Sequence, residues 1–360
     1  MTLRCAVVGA TGLAGQQFLV ALANHPFFDV VRLAASARSA NKRYRDAITS
    51  EGGHVGWYSA PEVLEQFASF TVEDASEMSL DGVDLVFSAL DTAPARALEG
   101  KYAERVPVIS TASAYRMEPD VPLLIPAVNG GHADLIRVQK SRRGWNGFVA
   151  PIPNCTTTGL AIALAPLEAE FGVDKVVVTS LQAVSGAGRS PGVIALDITD
   201  NVVPFIPSEE EKVERETKKL LGKVRDDHVE PAPVEVSATC TRVAVLEGHT
   251  EAVTVALRAD PTLEEIRRAM TRFGRDMNPQ SHPSAPDAWI TVFDDPFRPQ
   301  VRKDRDLQNG MTTSVGRLRP DAVLGEHGVK FVLVSHNTKM GAAQGAVLVA
   351  EDLRLRGYLG

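Results

Sequence analysis

The chain opens with Leu3-Arg4-Cys5-Ala6-Val7-Val8-Gly9-Ala10-Thr11-Gly12-Leu13-Ala14-Gly15, and the reading of this stretch decides the fold of the first third. A short apolar run that breaks at glycines is the pattern of a buried parallel strand. From Leu13 to Asn24 the spacing turns helical, with Phe18, Leu19 and Leu22 near one face. His25-Pro26 stops that helix, because the residue before proline is pushed out of the helical region. Val30 to Ala35 is the next strand, which closes a strand–helix–strand unit of about 30 residues. The glycines between strand and helix are spaced G-x-x-G-x-x-G, a variant of the dinucleotide-binding fingerprint. They let backbone N–H groups approach a pyrophosphate, and the helix N-terminus adds partial positive charge. A glycine cluster alone also reads as a tight structural turn. The strand before it, the helix after it and its N-terminal position favour phosphate binding by Gly9, Thr11, Gly12, Leu13 and Ala14.

Working outward, Val83 to Ala89 and Val106 to Ser110 continue the alternation of strands and helices, as in a doubly wound α/β domain. Ser141 to Gly147, polar and glycine-bearing, is the expected hinge. Beyond it, strands at Val176 to Val184, Val234 to Leu246 and Ala252 to Leu257 have longer connections, and Leu263 to Phe273 reads as a helix. A mixed sheet with helices on one side is expected there. Lys330 to Ser335 and Gly341 to Leu355 read as a last strand and a helix that packs back on the first domain.

A chain of 360 residues suits two domains, and 44% hydrophobic residues supply a core. A net charge of −7 argues against a nucleic-acid-binding surface. Three scattered cysteines form neither a disulfide framework nor a zinc site, and no metal is expected. They fit a reducing compartment. No basic region with an apolar signal core follows Met1, and no stretch approaches the roughly 20 apolar residues of a membrane span. A cytoplasmic protein is expected.

The second strand ends in Ser36-Ala37-Arg38-Ser39. An NAD site usually carries an acidic residue here for the ribose 2′-hydroxyl, and none is present. Arg38, with Ser36 and Ser39, suits a 2′-phosphate through a charge-assisted fork, so NADP is the expected cofactor. The alternative is a solvated loop arginine. Farther on, Pro153-Asn154-Cys155-Thr156-Thr157-Thr158-Gly159 precedes the apolar helical stretch Leu160 to Leu167. Cys155 thus falls at a helix start, where the dipole and N–H groups stabilise a thiolate and could hold an oxyanion. Read alone it is equally a small helix-start residue. Cys5 and Cys240, each in an apolar strand, read as packing residues.

These segments together resemble the aspartate-semialdehyde dehydrogenase family. The matching stretches are GATGLAG (9–15), SARSA (36–40), PNCTTTG (153–159), LQAVSGAGRSPG (181–192), EEEKVERET (209–217), RVAVLEGH (242–249) and HNTKMGAAQGA (336–346), in the family's order. The resemblance implies a Rossmann-type NADP-binding domain at 1–153 and 337–360, and an α+β catalytic and dimerisation domain with a mixed sheet at 154–336. It implies NADP-dependent interconversion of aspartyl phosphate and aspartate semialdehyde, which feeds lysine, threonine, methionine and isoleucine synthesis. Cys155 would be the acyl-forming nucleophile, His249 the acid/base and Gln182 the group that orients the acyl intermediate. Arg242 would hold the substrate carboxylate and Glu209 the amine. Lys212, Arg116 and Asn154 would serve the phosphoryl group, while Ser185, Gly186, Gly188 and Asn337 would meet the nicotinamide half of the cofactor. A homodimer or homotetramer is implied, with second-domain sheets meeting.

Residue chemistry supports some of these roles unaided. Imidazole titrates near neutrality and could take the thiol proton, although position alone does not select His249 from eight histidines. Arg242 lies seven residues before it, and on one regular strand an odd separation puts two side chains on opposite faces. A bend at Glu247-Gly248 is therefore expected. The run Glu209 to Lys219 ordinarily reads as a solvated helix face, yet Glu209 and Lys212 could share one face. Arg116 has no signal beyond its charge. Thr156 and Thr157 stand where many relatives carry Ser or Ala, and their small extra methyls, beside the nucleophile, could narrow the pocket. Malonyl-CoA reductase, N-acetyl-glutamyl-phosphate reductase and a non-catalytic NADP-binding regulator are the alternatives. Asn154, Glu209 and Lys212 weigh against the first of these.

Overall fold

Leu3–Val8 forms β1, and Cys5 to Val8 are fully buried, which is why the run is apolar on both faces. Phe28–Ala35 (β2), Val72–Asp74 (β3), Leu85–Ser88 (β4), Val108–Ser110 (β5) and Val149–Pro151 (β6) join it in one sheet. Its order is β3-β2-β1-β4-β5-β6, with every pairing parallel. That is the doubly wound order, whose direction reverses between β1 and β4. The computed structural model describes residues 2–187 and 193–360. The chain divides into two compact units, of which this sheet is the centre of the first (1–122, 133–152 and 346–360).

The turn after β1 sits at the reversal point. Gly9 has φ +80°, and a Cβ there would lie 2.4 Å from the carbonyl oxygen of Ala89, at the end of β4. A Cβ on Gly15 would lie 2.2 Å from the Gly9 carbonyl oxygen. Glycine is therefore required at both positions by backbone packing. The Leu13–Leu22 helix that follows has no side-chain N-cap and no acidic residue in its first turn, as an anion site requires.

The stretch expected to be a hinge is instead a packed turn inside this unit. Residues 141–143 finish the Leu135–Arg143 helix, and Gly144 caps it in the left-handed region at φ +66°. A Cβ on Gly147 would come within 2.1 Å of the Val106 backbone, so the glycine answers to close packing. The change of unit falls at Ile152/Pro153, while 123–132 and 337–345 group with the second unit, unlike the expected division. Within the first unit, His25 Nε2 lies 2.8 Å from Glu351 Oε1 on the Ala343–Leu355 helix.

The second unit (123–132 and 153–345) holds a mixed sheet. Its strands are β7 (Val173–Gln182), β8 (Val202–Val203), β11 (Glu235–Val243), β12 (His249–Leu257), β13 (Ile290–Phe293), β14 (Thr313–Pro320) and β15 (Gly328–Ser335), in the order β13-β14-β15-β12-β7-β11-β8. β9 (Lys223–Val224) and β10 (Val229–Glu230) form a separate antiparallel pair. The Cys155–Phe171 helix packs on β7, β12, β14 and β15, and the Glu209–Leu220 helix packs on β11. β7 alternates accordingly: Val176, Val178, Ser180 and Gln182 are buried, whereas Lys175, Val177, Thr179 and Leu181 are exposed. Among the described residues, no helix is long and apolar enough to cross a membrane.

Candidate active site

Asn154 is the N-cap of the Cys155–Phe171 helix. Its Oδ1 accepts from the N–H groups of Thr156 (2.9 Å) and Thr157 (3.2 Å), which satisfies two donors that a helix start leaves open. Asn154 Nδ2 donates to Glu209 Oε1 (2.7 Å), and its backbone N–H donates to Glu216 Oε2 (2.6 Å). The Glu209–Leu220 helix therefore grips the residue before Cys155 at two points. Its run was expected to be mainly a solvated face, but Glu209, Val213, Glu216 and Leu220 are all buried. Glu216 was not singled out from the sequence. The signal was present as spacing: both glutamates lie on the i, i+4, i+7, i+11 stripe marked by Val213 and Leu220. Lys212 Nζ lies 3.7 Å from Glu209 Oε2, so this pair presents opposite charges side by side.

Cys155 Sγ lies 3.2 Å from His249 Nε2. His249 is fully buried at the start of β12, and its pKa is driven down to about 3 by burial, then by the Arg242 and His336 charges. Burial likewise lowers the pKa of Arg242. By contrast, burial raises the Cys5 thiol and pushes the Cys240 thiol up to about 12, leaving both inert.

Arg242 and His249 do not share one strand around a bend. They lie on β11 and β12, which flank β7 on opposite sides, Arg242 pairing with Gln182 and Thr250 with Leu181. Residues 244–248 cross the end of β7, where Val184 and Ser185 N–H groups donate to the Val245 and Leu246 carbonyls. Odd spacing is therefore no obstacle, because each strand sets its own face. Gly248, at φ +91°, makes the turn into His249.

Ala183, just after β7, touches both Arg242 and His249. Its N–H donates to His249 Nδ1 (3.1 Å), and its carbonyl accepts from Arg242 Nη1 (2.8 Å). Gln182 Nε2 donates to Ser180 Oγ (3.2 Å). A Cβ on Gly186 would lie 3.0 Å from Arg242 Nη1 and 3.4 Å from His249 Cε1. Asn337 Nδ2 donates to Ser185 Oγ (2.8 Å), and its Oδ1 accepts from the Gly248 N–H (2.8 Å). Gly341 was also missed: a Cβ there would lie 2.9 Å from the Cβ of Cys155. Gly188 lies outside the described residues. Thr156 and Thr157 are fully buried, so their methyls are absorbed by the interior and do not line an open pocket.

In the first unit, Thr11 to Ala14 are accessible at the phosphate turn. Ala37–Ser39 forms a short turn after β2, with Arg38 exposed and Ser39 buried. No carboxylate occurs from Ser36 to Lys42. The glycine cradle and basic turn fit a 2′-phosphorylated dinucleotide. Arg116 of this unit is buried, and its Nη2 donates to the Thr111 carbonyl (2.7 Å).

Residues 4–136 match the family described as semialdehyde dehydrogenase, NAD binding domain, and residues 164–340 match semialdehyde dehydrogenase, dimerisation domain. The chain is 45% identical to aspartate-semialdehyde dehydrogenase of Methanothermobacter thermautotrophicus, over 96% of this chain and 97% of that one. It is 40% identical to the Saccharomyces cerevisiae protein of the same name, over 98% of each. Among solved structures, aspartate semialdehyde dehydrogenase with NADP from Candida albicans matches all of both chains, with a TM-score of 0.87 at 37% identity. Aspartate semialdehyde dehydrogenase II complexed with ASA from Vibrio cholerae also matches all of both chains, with a TM-score of 0.77 at 25% identity.

Proposed function

The chain belongs to the aspartate-semialdehyde dehydrogenase family, and from that premise we propose that it interconverts L-aspartyl 4-phosphate and L-aspartate 4-semialdehyde, with release or uptake of phosphate, in amino-acid biosynthesis. The observation that carries this reading is the Cys155–His249 pair, 3.2 Å apart on a capped helix start with Arg242 beside it. The Gly9 to Ala14 turn, Arg38 and the flanking serines would hold NADPH, which when bound would supply a hydride.

In the reductive direction the Cys155 sulfur bonds to the acyl carbon, the carbon–phosphate oxygen bond breaks, and a thioester remains. Splitting the reaction at a thioester replaces one difficult displacement by two easier steps. Arg242 holds the substrate's α-carboxylate in a guanidinium fork, and Glu209 takes its ammonium. Lys212 and Arg116 serve the phosphoryl group, Gln182 orients the acyl group, and Ser185, Gly186 and Asn337 meet the nicotinamide. His249 acts as the acid/base beside the sulfur and aids collapse to the aldehyde.

The second unit also supports a homodimer. The face of its sheet turned away from the Cys155–Phe171 helix exposes Val177 (43%) and Leu181 (37%), beside Thr179 and Ala252 on β7 and β12. Two copies meet through this face. Cytoplasmic residence goes with the reading, since catalysis needs Cys155 reduced.

The test is the oxidative assay with aspartate semialdehyde, phosphate and NADP. Reduction of NADP that depends on phosphate, and is lost in Cys155→Ser, is expected. Turnover of malonyl-CoA without any reaction of aspartate semialdehyde would overturn the reading.

A further inference from the structure

The outer edge of β11 is covered by a helix where a sheet would ordinarily add a strand. Glu235 to Arg242 pair along β7 on one side of β11, while among the described residues β8 covers the other side only at Arg242 and Val243. The outward N–H groups before Arg242 need acceptors of another kind. Two come from the Glu209–Leu220 helix: Glu210 Oε1 accepts from the Cys240 N–H (3.0 Å), and Glu214 Oε1 accepts from the Ala238 N–H (3.1 Å). We propose that Glu210 and Glu214 are positioning residues, which fix this helix along the edge of β11 and so hold Glu209 and Lys212 where the substrate binds. The substrate roles of Glu209 and Lys212 come from the proposed function, and the proposal rests on that reading.

The spacing turns the pair of glutamates into a register. Four residues of α-helix advance about 6 Å, and alternate residues of a strand stand about 6.6 Å apart, so an i, i+4 pair matches two successive outward N–H groups. Helix and strand run in opposite directions, since the later glutamate meets the earlier strand residue. A slide of the helix by one turn would bring Ile206 or Lys218 to an N–H in place of a glutamate. Neither side chain has an acceptor, so one register alone satisfies both donors. Lys218 reaches the Glu235 carboxylate instead (3.1 Å), in a solvent-facing pair.

A fixed axial position matters because neighbouring residues of the helix serve the site. Glu209, next to Glu210, receives Asn154 Nδ2 (2.7 Å), and Glu216, two residues after Glu214, receives the Asn154 N–H (2.6 Å). Lys212 lies between the two glutamates in sequence, its Nζ 3.7 Å from Glu209 Oε2. Burial of Val213 and Leu220 also holds the helix in place, but apolar contact is non-directional and permits small slides. Hydrogen bonds to fixed strand N–H groups do not.

The test sets Glu210→Ala and Glu214→Ala beside Glu210→Gln and Glu214→Gln, whose amide oxygen still accepts. Amide hydrogen exchange of the full chain, read by NMR, should speed up at Cys240 in Glu210→Ala and at Ala238 in Glu214→Ala. It should stay near wild type in the glutamine variants. In the oxidative assay each alanine variant should lower kcat/KM for aspartate semialdehyde and for phosphate by about tenfold or more, with the KM for NADP changed less than about twofold. Glutamine should recover most of that loss. Lys218→Ala, which removes the solvent-facing pair on the same side of the helix, should change neither measurement. Alanine variants with wild-type kcat/KM, a loss that glutamine does not recover, or a loss shared equally by NADP would each overturn the proposal. A wild type that never turns over aspartate semialdehyde, with amide exchange altered as expected, would instead overturn the functional reading and the substrate roles with it, while the register stands.

Discussion

Asn154 caps one helix with its oxygen and reaches a second with both of its nitrogens, so its loss has separable effects. Asn154→Ala should cost about 1 kcal/mol of stability for the cap, read by urea unfolding. It should also slow turnover more than tenfold, as a misplaced nucleophile does (order-of-magnitude, roughly 10²-fold per ångström). Glu216 reaches the site through Asn154. Glu216→Gln keeps an oxygen acceptor for the Asn154 N–H, whereas Glu216→Ala leaves that donor buried and unsatisfied, at a cost of about 1–3 kcal/mol. The glutamine variant should therefore retain more kcat and more Cys155 alkylation than the alanine variant, at similar KM. Equal kcat would remove Glu216 from the positioning role. In the first unit, Arg38→Ala should lower kcat/KM for NADP by about tenfold or more and leave that for NAD nearly unchanged, because a charged hydrogen bond carries about 1.5–3 kcal/mol. Cys155 was legible in the sequence because its neighbours write a helix start around a thiol. Ala183 was not, since every residue but proline has an N–H, and only the fold shows where it points.

The Cys155–Phe171 helix shows what an element adds to its residues. From Thr156 to Leu167 it is buried all round, which suits a central position and explains why its apolar residues follow no single stripe. Gly159 lets it sit low on the sheet: a Cβ there would lie 2.7 Å from Ser335 Cβ and 3.4 Å from Glu251 Oε1. Glu251 is two residues after His249 on β12 and therefore on the same face. Its fully buried carboxyl has no hydrogen-bond partner among the described residues, and burial raises its pKa well above the usual carboxylate range. The sign follows from linkage. The folded chain keeps this proton at pH values where the unfolded chain has lost it. Stability is therefore fully present below the unfolded value, 4.5, and falls as pH rises toward the folded one. The urea-unfolding free energy of Glu251→Gln, relative to wild type, should become more favourable between about pH 5 and about pH 8, by up to about 1.4 kcal/mol per pH unit. A difference independent of pH would show the carboxyl ionised in the fold. The helix itself was legible from its cap and apolar run. The buried acid beneath it was not, because the alternation His249-x-Glu251-x-Val253 acquires a buried face only once β7 and β15 are in place.

At the scale of the whole molecule the two sheets differ in how far local sequence determines them. The first is built from strand–helix–strand units, so neighbours in sequence become neighbours in space, and the glycine turn marks the point of reversal. The second pairs His249 with Ser335 and Glu235 with Lys175, across separations that no local pattern encodes. What local pattern does encode there is the two-sidedness of β7, and this bears on assembly. A sheet covered by helices on one side leaves a face that carries Val177, Thr179 and Leu181 in alternation, with Thr254, Ala252 and Thr250 opposite them on β12. Both strands lie in the middle of the sheet, so their free backbone edges are already paired, and the open face can be covered only by side chains from another surface. A second copy would present the same surface and bury it symmetrically. Val177→Asp places a carboxylate at the centre of that face, where its symmetry mate would add a second desolvated negative charge. Light scattering should give a dimer, or a tetramer built from such dimers, for wild type. It should give a species of half the mass for the variant, with the NADP-binding unit still folded by circular dichroism. An unchanged mass for the variant would place the interface elsewhere, and a monomeric wild type at micromolar concentration would leave this face without its partner.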